Sequence, residues 1–145
     1  MEERKLKLLQ LCTSNISKEE KICFTCLQDI NPGIKHEPYP VVFPEDFKSK
    51  NNKMCYICDG YLEIGKDAVI IFEYDGGIGV YHHKDIDDIR DDEILAVDSQ
   101  VMGIIHIEET LLKNLVFADA TNTKDIVINA INDIMSGKQL IITLK

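Results

Sequence analysis

Four cysteines stand in two pairs, KICFTCLQD at residues 21–29 and MCYICDG at 54–60. They give the pattern Cys23-x2-Cys26-x28-Cys55-x2-Cys58. A Cys-x2-Cys turn lets two sulfurs converge on one ion while nearby backbone N–H groups donate to the thiolates. Two such turns supply the four soft ligands of a tetrahedral zinc site. Cys23, Cys26, Cys55 and Cys58 are therefore the candidate metal ligands, and Zn2+ is the expected cofactor. Nothing in the sequence indicates a redox partner, which favours zinc over iron. A zinc ion held by four thiolates has no open coordination position, so it stabilises and shapes the chain without catalysing anything.

This pattern resembles the zinc-ribbon and treble-clef modules, in which two Cys-x2-Cys turns clamp one structural zinc. The resemblance covers residues 20–60 and implies a small zinc-stabilised module there. Residues 55–60 match the turn, with Gly60 after the second thiol, whereas Cys26 is followed by Leu-Gln-Asp with no glycine. A competing ligand set takes Cys55 and Cys58 with His82 beyond a hairpin, and Asp85 or His83 as the fourth group. The upstream pair would then recruit Cys12 or His36 for a second ion. The bland alternatives are a buried Cys12 on a first helix and a loop histidine at His36 among prolines.

The best enzymatic case is YHHKDIDDIRDDE at residues 81–93. Here His82, His83 and neighbouring aspartates could hold Mg2+, Mn2+ or zinc for hydrolysis of a phosphodiester or another substrate. Carboxylates adjacent along one segment do not by themselves converge, so the same run also reads as a solvated acidic face. His106, in the alternating stretch GIIHIEE, reads as a core or edge histidine. Other signatures fail: Asp75-Gly-Gly-Ile-Gly lacks the setting of a dinucleotide loop, and there is no P-loop. A calcium-like loop from Asp119 has Lys124 where glycine is required and Ala130 where glutamate is. No catalytic residue is assigned.

The elements that must position these residues follow from periodicity and punctuation. Leu6, Leu8, Leu9 and Leu11 suggest a short amphipathic helix, and Ser17-Lys18-Glu19-Glu20 has capping-box spacing for a second. All four prolines fall in NPGIKHEPYPVVFP, which predicts extended loop with at most a short edge strand at 41–43. YLEIGKDAVIIFEYDGGIGVYHH reads as strands around turns, with a hairpin at Asp75-Gly76-Gly77. EILAVDS and VMGIIHIEE read as two further strands. TNTKDIVINAINDIMSGK is the clearest helix, with Ile126, Val127, Ala130, Ile131, Ile134 and Met135 on one stripe, and QLIITLK closes the chain as a strand.

The 145 residues carry a net charge of −9, and that charge is unevenly placed. Residues 1–60 hold nine basic and nine acidic side chains, while residues 61–145 hold seven and sixteen. An acidic body repels phosphate backbones, so nucleic-acid binding would need the short basic segments RKLK (4–7) and KSKNNK (48–53). No apolar run reaches the ~18 residues of a membrane span, and the charged start argues against a signal peptide. Five cysteines are an odd number, which speaks for reduced thiols and an intracellular, cytoplasmic setting. The expected class is α+β: a zinc module at 1–60 and an acidic body at 61–145 of mixed or antiparallel strands with a C-terminal helix, the two sharing one core or not. The expected role is a binding or regulatory protein that contacts another protein. Its sharper form is an acidic inhibitor that imitates a nucleic-acid surface. The alternatives are a metal-dependent hydrolase or nuclease and a zinc-ribbon nucleic-acid binder.

Overall fold

The computed structural model describes residues 16–76, 84–117 and 120–145. Helix α1 (Lys18–Ile30) starts where Ser17 accepts a hydrogen bond from the N–H of Glu20 at 3.1 Å, as the capping spacing predicts. A turn built on Asn31, whose side chain accepts from the Gly33 N–H, leads into β1 (Ile34–Lys35). Then follow β2 (Tyr39–Val42), β3 (Cys55–Cys58), β4 (Gly60–Ile64), β5 (Ala68–Gly76), α2 (Lys84–Val97) and β6 (Val101–Glu108). Helices α3 (Glu109–Phe117) and α4 (Ala120–Met135) precede the last strand, β7 (Ile141–Leu144). The fold is mixed α+β.

The main sheet has the order β1-β4-β5-β6-β7, and β2 and β3 form a separate antiparallel ribbon. β1 and β5 run antiparallel to β4, whereas β5, β6 and β7 are mutually parallel. Pro40 is accommodated because β2 has a strand on one side only. The apolar residues of β5 are buried on both faces, as a central strand requires. Ile70 and Phe72 face one core with Ile105 and Ile107 of β6. That core is closed by Cys23, Phe24 and Leu27 of α1, Leu111 and Leu112 of α3, and Val127, Ala130 and Ile134 of α4. Val69 and Ile71 face the other core, with Ile104, Ile94 of α2, and Tyr39, Val41, Phe43, Tyr56 and Cys58 of the ribbon. Each fully buried Ile, Leu or Phe contributes ~1.5–3 kcal/mol of transfer free energy. The result is three layers: α1, α3 and α4, then the sheet, then α2 with the ribbon. Cys23 to Ile34 belong to the same core as β5 and β6, so that core crosses residue 60.

The steps from β5 to β6 and from β6 to β7 run in the same direction across the sheet, yet their helices lie on opposite faces. The two crossovers therefore have opposite hands, and one takes the rare left-handed form.

The structure corrects two sequence expectations. EILAVDS is not a strand: it is the second half of α2, which ends where the Asp98 N–H reaches the Ile94 carbonyl. The acidic first half, with Asp85 and Asp87 in the first turn, suits the positive end of a helix and carries the apolar half with it. The strand read in VMGIIHIEE stops one residue short, at Glu108, and Glu109 instead starts α3. The remaining residues of α3, 110–117, carry no sequence assignment and pack around buried Leu111, Leu112 and Leu115. The predicted hairpin partner of β5 and the predicted helix at 2–12 lie outside the described residues.

Close packing makes one position testable. A Cβ on Gly60 would sit 2.3 Å from a ring carbon of Phe24 and 2.5 Å from the Lys35 carbonyl oxygen, whereas one on Gly65 would meet nothing within 4 Å. Gly65 has φ +67°, so alanine there suffers backbone strain alone. Gly60→Ala should lower unfolding stability by ~1–3 kcal/mol in urea titrations, and more than Gly65→Ala does.

Candidate functional site

The parallel strands β5 and β6 end in charged residues, and α2 lies across them. His106 in β6 is buried, yet both ring nitrogens reach carboxylates: Nδ1 lies 2.9 Å from Asp75 Oδ1 and Nε2 lies 2.7 Å from Asp91 Oδ2. Burial alone would lower the imidazole pKa, but the hydrogen bonds to Asp75 and Asp91 outweigh it and push it up to about 10. His106 is therefore a doubly donating imidazolium that ties the end of β5 to α2.

Beside it, Arg90 of α2 reaches Glu73 of β5 with Nη2 2.6 Å from Oε1. The same nitrogen donates to the Ile57 carbonyl at 3.3 Å and lies 3.8 Å from the Cys58 sulfur, and the guanidinium sits 5.2 Å from the Tyr56 ring centre. The other oxygen of Glu73 accepts from the Asp59 N–H at 3.3 Å, and Asp59 Oδ2 accepts from the Tyr74 N–H at 2.9 Å. Burial pushes the Glu73 carboxyl up to about 8, although Arg90 pulls the other way. The link continues through Nη1 of Arg90, 3.9 Å from Asp91 Oδ1. Asp59, Glu73, Arg90, Asp91, His106 and Asp75 thus form one connected network.

Polar contacts seat the rest of α2 on the ribbon. Glu93 Oε1 accepts from Tyr56 and from Ser49, each at 2.9 Å, and the Tyr39 hydroxyl donates to Asp98 at 2.9 Å. On the other side of Asp59, His36 stacks on Phe24 at 4.2 Å and lies 2.7 Å from Glu20 of α1. Burial raises the Glu20 pKa, and Asp59 adds to the rise.

The cysteines are placed differently from a clamp. Cys23 and Cys26 are one turn apart on α1, the first buried in the helical core and the second half-buried. Cys55 and Cys58 lie on β3, opposite Val42 and Tyr39. Residues three apart on a strand point to opposite faces, so these two thiols diverge. Cys58 belongs to the core on the α2 side of the sheet, away from Cys23. Burial raises the pKa of both Cys23 and Cys58, which favours the thiol form where no cation lies beside the sulfur. No group of three His, Cys, Asp or Glu among the described residues is disposed to hold an ion. Cys12, His82 and His83 lie outside the described residues. Asp85 is exposed at the start of α2, and Lys48, Lys50 and Lys53 are exposed on the loop before β3.

Sequence reasoning placed His106 on a strand but missed Asp59, Glu73, Arg90 and Asp91. Two signals pointed to them: a glutamate ending the apolar run VIIF, and a single arginine among five aspartates and a glutamate. Family models, characterised proteins and solved structures were compared with the chain, and none matches it.

The bridge sets a pH dependence. His106 has a folded pKa of about 10 against 6.5 for the free side chain. Its stabilisation is therefore complete below pH 6.5 and lost as pH rises towards 10. His106→Ala removes a charged hydrogen-bond partner from each of Asp75 and Asp91 and should cost ~3–5 kcal/mol at pH 6. In urea titrations the gap between wild type and variant should narrow steadily up to pH 10.

Proposed function

We propose that this chain is a binding protein whose α2 face docks on a basic surface of a partner protein. One observation supports this reading above others. Asp85, Asp88 and Asp92 are all exposed, and their spacing of three and four residues aligns them along one stripe of α2. The opposite side of the helix is fixed by Ile94, Glu93, Asp91 and Arg90, so the stripe is held rigid before any partner arrives. Preorganisation of that kind lowers the entropic cost of docking. Electrostatic steering from a body of charge −9 would speed the encounter.

Magnitude separates this from imitation of a nucleic acid. Seven residues of helix rise ~10 Å, so three carboxylates give one charge per ~5 Å. A single DNA strand carries one per ~3.4 Å and the duplex one per ~1.7 Å. The stripe is too sparse to copy a phosphate backbone, and a basic protein surface is the better fit. No helix among the described residues is long and apolar enough to cross a membrane.

A triple variant, Asp85→Asn with Asp88→Asn and Asp92→Asn, should weaken binding to a lysine-rich peptide by about tenfold at low salt. Binding by the wild type should itself weaken as ionic strength rises. A control triple of exposed acids elsewhere, Glu63→Gln, Asp67→Asn and Asp125→Asn, should have a much smaller effect. Equal losses in the two triples would mean that net charge acts and this face does not.

A structural zinc on Cys23, Cys26, Cys55 and Cys58 is a separate reading that rests on their spacing. One zinc per chain by elemental analysis, lost alike from Cys23→Ser, Cys26→Ser, Cys55→Ser and Cys58→Ser, would support it. It would also require α1 and β3 to rearrange.

A further inference from the structure

β7 forms one edge of the main sheet and, among the described residues, pairs with β6 alone. The register sets Ile104 opposite Ile141 and His106 opposite Thr143, and the Ile104 N–H donates to the Leu140 carbonyl at 2.8 Å. In a parallel ladder, alternate residues of a strand turn both backbone groups to the same neighbour. Leu140, Ile142 and Leu144 therefore serve β6, while the N–H and C=O groups of Ile141 and Thr143 face the open edge. The side chains divide as well. Leu144 is buried in the helical core and Ile142 packs against it, whereas Ile141 and Thr143 are exposed on the other face. Leu140 is 53% exposed and Ile141 37%. Among the described residues, the edge thus offers two donors and two acceptors with no strand beside them, next to exposed apolar side chains.

Charge says what kind of strand belongs there. Lys138 and Lys145, both exposed, bracket β7 at its two ends. Lysines at an edge oppose pairing with a like strand. Antiparallel self-pairing about Ile142 would bring Lys138 of one copy next to Lys145 of the other, twice, so a second copy is the poorer occupant. We propose that the β7 edge receives an extended segment of a partner protein that carries a carboxylate at each end around alternating β-branched residues. Main-chain hydrogen bonds to Ile141 and Thr143 supply the register, and the two lysines select the flanks. This surface is separate from the acidic stripe on α2, and the inference does not rest on that reading.

A capped heptapeptide with glutamate at each end of alternating valine and threonine is the probe. Titrated into the 15N-labelled full chain, it should shift the Ile141 and Thr143 amides saturably and slow their hydrogen exchange. The same peptide with lysine at each end should bind about tenfold more weakly at low salt. Lys138→Glu combined with Lys145→Glu should invert that preference. Thr143→Pro removes an outward donor and no bond to β6, so it should fold, as judged by its melting temperature, and lose the peptide. Neither peptide moving these amides would overturn the proposal. So would a concentration-dependent dimer whose exchange protection falls on Ile141 and Thr143, because the occupant would then be a second copy.

Discussion

The seating of α2 on the sheet depends on two cations, a buried imidazolium at His106 and a half-buried guanidinium at Arg90. Arg90 and His106 stand among Asp59, Glu73, Asp75 and Asp91, and without them α2 would lay carboxylates against a sheet face and leave them unpaired. The positions are interlocked: Arg90 joins α2 to β5 and β3, while His106 joins β6 to α2 and the end of β5. Removing water from such ions costs several kcal/mol each, and good geometry recovers about that much. The network is therefore better understood as fixing where α2 sits than as adding net stability. A purely apolar α2 could slide along Ile71 and Ile104, whereas a helix carrying Arg90 and Asp91 has one register in which Arg90 meets Glu73 and Asp91 meets His106.

The balance inside the network explains a further feature. Four carboxylates face two cations, an excess of negative charge in a region mostly shielded from water. Glu73, buried on β5, has its pKa pushed up to about 8 by burial against the pull of Arg90, so a proton takes up part of the excess near neutral pH. Among the other acids of α2, Glu93 is buried against Tyr56 and Ser49, Asp87 is half-buried, and Asp85, Asp88 and Asp92 are exposed. One helix thus sorts its charge by face: engaged in the network where it meets the sheet, exposed where it meets water.

How much of this was legible in the sequence depends on whether the signal is local. Helix α4, strands β6 and β7 and the Ser17 cap were readable because periodicity and capping are set within a few residues. The second half of α2 was not, since EILAV taken alone is an apolar run that suits a strand, and only its continuity with the acidic first half and the seat of Ile94 make it helical. The charged network was illegible for a related reason. Asp59, Glu73, Arg90 and His106 are far apart in the chain and are brought together by sheet order, which includes a parallel pairing and a change of crossover hand that no local pattern encodes. What the sequence did offer was a charged residue ending an apolar run, which marks a strand that buries an ion.

The cysteine pairs show how one spacing can carry two geometries. In a tight turn, residues i and i+3 converge, which is why Cys-x2-Cys reads as a metal clamp. On the helix α1 the same spacing keeps Cys23 and Cys26 on neighbouring turns. On the strand β3 it sends Cys55 and Cys58 to opposite faces. The residues around each pair decide between these outcomes. Ile22, Phe24 and Leu27 continue a capped helix through the first pair, and Tyr56 and Ile57 give the second the β-branched and aromatic character of a strand that pairs with YPVV. Cys58 then does what a small apolar side chain does, filling a core position beside Arg90 with its thiol protonated. Cys23 and Cys58 fill core positions on opposite sides of the sheet, and the chemistry that holds the α2 layer in place is carried by carboxylates, an arginine and a histidine.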